Sequence, residues 1–159
     1  MVTRATSIGL LNAGDPLTAA QINSVAAGWI GYAEKTSDQA GISSTQVDIS
    51  SLTTTVTVNA SRRLLISAYV DAGGSAVNDR FAVLIMDGAT QLQSSVLYVP
   101  FADAAITTMS FTPMTVETPT AGAHTYKLVA VRNNGSGTMT IQASAANPGM
   151  LLVQDIGAA

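Results

Sequence analysis

The chain has 159 residues, one domain's worth and enough to bury a core without cross-links. It contains no cysteine, which excludes a disulfide framework, a zinc–thiolate site and a cysteine nucleophile. The formal net charge is −3 and its seven Lys and Arg are scattered, only Arg62 and Arg63 being adjacent, so binding through phosphate neutralisation, and with it a nucleic-acid partner, is not expected.

Charged residues make up only 11% against 47% hydrophobic ones, well below the roughly 25% charge of an ordinary soluble domain. Ser, Thr, Asn, Gln and Gly must keep the surface wet. Low surface charge also marks a subunit whose exterior is covered by neighbours, because interface cores are depleted in charge. An obligate oligomer is the expectation. No window approaches the roughly 18 uninterrupted apolar residues of a membrane span. The N-terminus has no basic region leading into an apolar core. Neither a membrane partner nor a secretory signal is expected, and the product should stay soluble in a cytoplasm, at least at first.

In chain order, Ala13 to Asn23 (AGDPLTAAQIN) is a capped helix signal. Thr18 is a good N-cap and Gln21 stands three residues on, where each side chain satisfies the other's free backbone N–H. Leu17 and Ile22 occupy the staple positions around that cap, and Gly28 supplies a stop. Residues 1–28 therefore read as an arm with one short helix, in which Val25 and Trp29 dock the helix and Met1 to Leu11 reach another subunit. Residues 29–159 read as a single β domain.

Trp29 to Lys35 opens a succession of eight or nine short runs with period-two patterning, the mark of strands with one buried face. Leu52 to Val58 points Leu52, Thr54, Val56 and Val58 inward. Arg63 to Asp71 points Leu64, Ile66, Ala68 and Val70 inward, while its other face carries Leu65 and Tyr69. Phe81 to Met86 ends in Asp87-Gly88, a dipeptide suited to a tight hairpin, with the next strand running from Thr90 to Tyr98. Ile106 to Val116 contains Pro113, which marks a bulge or an edge because proline has no N–H for a ladder.

His124 to Arg132 sets Tyr126, Leu128 and Ala130 against Lys127, Val129 and Val131. The two strands with apolar residues on both faces, carrying Leu65, Tyr69, Val129 and Val131, are the candidates for a buried subunit contact. Asn133 to Gly137 reads as a hairpin loop. Thr138 to Ser144 follows with Met139, Ile141 and Ala143 inward, and Met150 to Ile156 is apolar enough to be a central strand. The architecture expected is an all-β sandwich or jelly roll.

Chemistry is harder to find. His124 is the one histidine, so a Ser/His/Asp triad would hang on it alone, and a turn-proximal histidine bonding to backbone is the simpler reading. No serine lies in a GxSxG elbow. Asp71, Gly73, Gly74, Ser75, Asn78 and Asp79 form the loop in which a calcium ion could sit, although loop aspartates are ordinarily turn formers. Trp29 and Tyr32 could stack on a sugar but read better as packing anchors. No catalytic residue, cofactor or metal is expected, and no enzymatic activity.

The segments AGDPLTAAQIN, GWIGYAEKTSDQAGI, VDISSLTTTVTV, RRLLISAYV, PTAGAHTYKLVAVRNNGSGT and NPGMLLVQDIG together resemble a family of small structural proteins of tailed actinobacteriophages. Ala121 to Leu128 (AGAHTYKL) resembles a strand of TNF- or C1q-like jelly rolls. The resemblance implies a virion component on the exterior of the particle, assembled in the host cytoplasm, trimeric and without enzymatic activity. Two roles follow: a capsid decoration protein bound to the major capsid protein through its arm, or a minor tail or receptor-binding protein that contacts tail proteins or a host saccharide.

Overall fold

The computed structural model of the protein describes residues 28–76, 79–98 and 108–159, residues 94–98 by backbone alone. The expected helix, and with it Leu11, Leu17, Ile22 and Val25, lies outside the described residues. Eleven strands are described: β1 (Trp29–Lys35), β2 (Gln39–Ile42), β3 (Val47–Val58), β4 (Arg62–Gly74), β5 (Arg80–Asp87), β6 (Thr90–Tyr98), β7 (Met109–Phe111), β8 (Met114–Glu117), β9 (Gly122–Asn134), β10 (Met139–Gln142) and β11 (Gly149–Ala158). They form a four-stranded sheet, β3-β9-β5-β6, and a seven-stranded sheet built around β4.

β4 organises the larger sheet. Its residues 62–69 pair with β11 and residues 71–74 with β10, while β8 pairs at 64–67 and β7 at 70–72. β1 extends the sheet beyond β11, and β2 extends it beyond β10. The apolar last strand is therefore interior, as its composition requires. All these pairings are antiparallel, and only β5 and β6 are joined as a hairpin among them. Asp87 pairs with Thr90 across Gly88-Ala89, and Gly88 has φ +56° while Ala89 does not take a positive φ, the pattern of a type II′ turn.

The alternation read from sequence fixes the core. Leu64, Ile66 and Val70 of β4, Leu151 and Val153 of β11, Leu52 and Val56 of β3, and Tyr126 and Leu128 of β9 are all buried between the sheets. Each full burial of a large aliphatic side chain contributes about 1.5–3 kcal/mol. Two elements lie beyond the expected set. β2 is a short additional strand, and β3 begins at Val47 because a wide bulge separates its pairings at Asp48 and Thr53. Within that bulge Ser51 takes φ +69° so that Ile49 and Leu52 can both point inward. Lys35 of β1 donates to Ser50 Oγ at 2.7 Å, and Gln39 of β2 bonds the Ser50 amide and the Asp48 carbonyl, so the bulge ties the two sheets at one open side.

Two expectations need correction. The run through Pro113 is two strands, β7 and β8, paired with β4 alone; the buried Pro113 interrupts the edge, and its carbonyl accepts from Ala68 N at 3.0 Å. Asn133 to Gly137 is no hairpin, since β9 and β10 belong to different sheets and the segment crosses between them. What holds this crossing is the fully buried Asp79, whose Oδ1 accepts from Ser136 N at 2.9 Å and Gly137 N at 3.2 Å. The carboxylate lies against Gly135 and Gly137, where a Cβ would meet it; a Cβ on Gly137 would also come within 2.8 Å of Ala76 N.

Gly137→Ala should therefore destabilise the protein by about 1–3 kcal/mol through overpacking. Asp79→Ala should cost a similar ~1–3 kcal/mol by leaving the Ser136 and Gly137 amides of the crossing without their acceptor. Urea-unfolding midpoints of both variants check this, and unchanged midpoints would show that the crossing is not held this way.

Candidate assembly surface

Because Leu64, Ile66, Leu151 and Val153 face the core, Leu65, Ser67 and Tyr69 of β4 and Met150, Leu152 and Gln154 of β11 face outward. The pairing registers extend this face into rows across four strands. One row is Trp29, Gln154, Leu65 and Val116; the next is Tyr32, Leu152, Ser67 and Met114. A third begins with Glu34, Met150 and Tyr69, and Glu34 accepts from the Tyr32 hydroxyl at 2.7 Å. Apart from Glu34 these rows carry no charge.

Trp29 is 70% exposed, Tyr32 45%, Met114 59% and Val116 54%. On a scale of roughly 150–250 Å² per large side chain, those fractions amount to about 350–550 Å² of bare surface. The half-buried Leu65, Tyr69, Met150 and Leu152 add to it. That approaches the roughly 800 Å² one partner contributes to a standard interface. It matches the largest apolar patch of a typical monomer, roughly 300–600 Å², a size often tied to function.

The four interface candidates do not form one patch. Leu65 and Tyr69 sit on this outer face. Val129 and Val131 sit on the outer face of the four-stranded sheet, 3% and 8% exposed, in a cluster with Ala82, Leu84 and Met86 across the β5–β9 pairing. A charge placed there would test folding rather than association. Trp29 and Tyr32, read as packing anchors, both stand on the exposed face, and the helix that Trp29 was expected to dock lies outside the described residues. Sequence reasoning missed Met114 and Val116, whose only signal is the short alternating run after Pro113.

At one end of the sandwich lies a polar cluster. His124 Nδ1 contacts Asp87 Oδ2 at 2.6 Å and Nε2 contacts the Thr120 carbonyl at 2.9 Å, so both ring nitrogens are occupied. The backbone contact expected for a turn-proximal histidine is there, joined by a carboxylate. The hydrogen bond with Asp87 raises the His124 pKa, burial opposing it. The ring stacks on Tyr126, centroids 6.2 Å apart, and the Tyr126 hydroxyl donates to Glu117 from the other sheet.

The Asp71 and Asp79 carboxylates are engaged separately. Asp71 accepts from Ser110 Oγ at 2.6 Å and Asn147 Nδ2 at 2.8 Å, and Asp79 holds the crossing between β9 and β10. Burial would raise the Asp71 pKa, but the hydrogen bonds from Ser110, Asn147 and Tyr69 outweigh it and hold it below the ordinary carboxylate value. No cluster of three His, Cys, Asp or Glu able to hold a metal occurs among the described residues, and Asn78 lies outside them. No described helix is long and apolar enough to cross a membrane.

Comparison with known proteins settles the architecture. The Eiger TNF of S. frugiperda matches 82% of this chain and 94% of its own, at 9% identity and a TM-score of 0.52. The fold is a TNF-like jelly roll. The VP2 protein of infectious bursal disease virus, in its T=1 particles, matches 78% of this chain and 35% of its own at 8% identity, with a TM-score of 0.38. The VP2 subviral particle matches at 10% identity and 0.37, covering 80% and 37%. Both scores are too low to carry an argument. No protein-family model matches the chain, and no curated protein does. At 9% identity the TNF match speaks for the jelly roll alone.

The titrating groups set a stability window. The folded-state pKa of His124 lies above its unfolded value of 6.5, so its contribution is complete below that pH and is lost as pH rises through the folded value. Asp71 works in the opposite sense: its contribution is present above 3.8 and is lost as pH falls through its lowered pKa. Urea midpoints measured across pH should decline on both sides of that window. The alkaline decline should be absent in His124→Gln; if it persists there, another group causes it.

Proposed function

We propose that this chain is a non-enzymatic structural protein of a tailed-phage virion: a homotrimer on the exterior of the head, bound to the major capsid protein through its N-terminal arm. The observation that carries the reading is the sparsely charged outer face of the seven-stranded sheet, which in an isolated chain would leave several large apolar side chains in water. A second copy of the chain suits it, because the face offers almost no charge for a charged partner to match. The resemblance of AGDPLTAAQIN and the segments after it to actinobacteriophage structural proteins supports the virion assignment, and the TNF-like jelly roll supports the fold it implies.

The mechanism is buried area and multivalency. Three arms on one trimer turn a weak capsid contact into an avid one. Binding only to the assembled shell then stabilises that shell by mass action.

Trp29→Asp combined with Met114→Asp places two charges on exposed positions at opposite borders of the face. We expect a folded monomer by circular dichroism and sedimentation, where the parent chain sediments as a trimer. A variant that sediments unchanged refutes the assembly surface. For the capsid contact, the chain lacking residues 1–28 should remain trimeric but fail to co-sediment with purified undecorated heads. Full binding by that shortened chain overturns the role of the arm, and a copy number of a few per particle instead of hundreds would place the protein in the tail.

A further inference from the structure

We propose that His124 is a protonation latch, which fastens the 118–121 connection to the four-stranded sheet when its ring is charged and releases it when the ring is neutral. The inference rests on geometry at the end of the sandwich and is independent of the assembly reading. His124 is the third residue of β9, the side chain is 13% exposed, and the two atoms it contacts are both acceptors: a carboxylate oxygen of Asp87 on β5 and the carbonyl of Thr120 in the connection from β8. An imidazolium donates at both nitrogens and satisfies both acceptors. A neutral imidazole carries one N–H only, so one acceptor must face a bare nitrogen lone pair.

The acceptor that loses is set by charge. At 2.6 Å from Asp87, a bare Nδ1 would oppose a full negative charge, whereas a bare Nε2 would oppose only the partial charge of a carbonyl. The neutral ring therefore keeps its proton on Nδ1 and gives up Thr120. Other groups facing the ring reinforce the charged state. Glu117, at the end of β8, and Asp87 both favour a positive ring, and the stacked Tyr126 directs its hydroxyl at Glu117 and leaves the ring alone.

The released piece is small and defined. Glu117 remains paired with Leu64 and held by Tyr126, and Gly122 remains paired with Val58, so the change is confined to the residues between them. The adjoining β5–β6 turn, where Gly88 N bonds the Thr125 carbonyl at 2.9 Å, does not use the histidine and stays closed. The device makes one connection of this pole pH-dependent while both sheets stay intact.

Hydrogen exchange of the intact chain at about pH 5.5 and about pH 8.5, with exposure times matched for intrinsic exchange, tests it. Protection at residues 118–121 should fall several-fold at the higher pH, with that of β9 and β4 unchanged, and His124→Gln should show low protection at both. Equal protection of the parent chain at the two pH values overturns the latch, as does a pH-dependent loss that survives in His124→Gln. Should that variant not fold, NMR of the parent chain decides: the His124 ring and the Ala121 amide must titrate with a common midpoint, and separate midpoints refute the proposal.

Discussion

The double pairing of β4 is the constraint on which the molecule depends. One thirteen-residue strand is bonded along one edge by β11 and then β10, and along the other by β8 and then β7. Four separate parts of the chain thus find their register against one template. Its inward residues, Leu64, Ile66 and Val70, are fully buried, and a slip by one residue would send them all to the outer face. The remaining strands of that sheet, β1 and β2, depend on β4 at one remove.

Joining two sheets leaves open sides, and polar residues close them where apolar ones would not reach. Lys35 and Ser50 tie β1 to the bulge of β3, and Tyr126 reaches across to Glu117. Asp79 holds the crossing from β9 to β10 by its backbone amides, and Arg62 pairs with Asp155 to fasten the start of β4 to the end of β11. Each pins a place where the chain leaves a sheet or a sheet ends, where ladder hydrogen bonds run out and backbone groups need other partners. The low charge content has the same logic, since several of the few charged groups are spent inside the sandwich and few remain for its surface.

The outer faces of the two sheets have different fates. The four-stranded sheet buries its apolar outer cluster around Leu84 and Val129, while the seven-stranded sheet leaves Trp29, Tyr32, Met114 and Val116 in the open. Period-two alternation could show that β4 and β9 are apolar on both sides, and it did so at Leu65, Tyr69, Val129 and Val131. It could not tell which second face is buried, because burial is set by contacts that the strand's own pattern does not record. Met114 and Val116 escaped notice for the same reason: a four-residue strand has too short a pattern to read, and only pairing with Leu65 and Ser67 places it on the face.

Sequence by itself determined the class of fold, the inward residues of nearly every long strand, the Asp87-Gly88 turn and the interior place of the last strand, all local consequences of side-chain period and turn chemistry. Tertiary structure alone decided that Asn133 to Gly137 crosses between sheets, that Asp79 is a buried anchor of that crossing, and that His124 sits between two acceptors. Those outcomes rest on groups brought together from 4 to 58 residues apart, such as Thr120 with His124 and Asp79 with Gly137. A one-dimensional pattern records which way a side chain points; what it meets there is set by the partner strand.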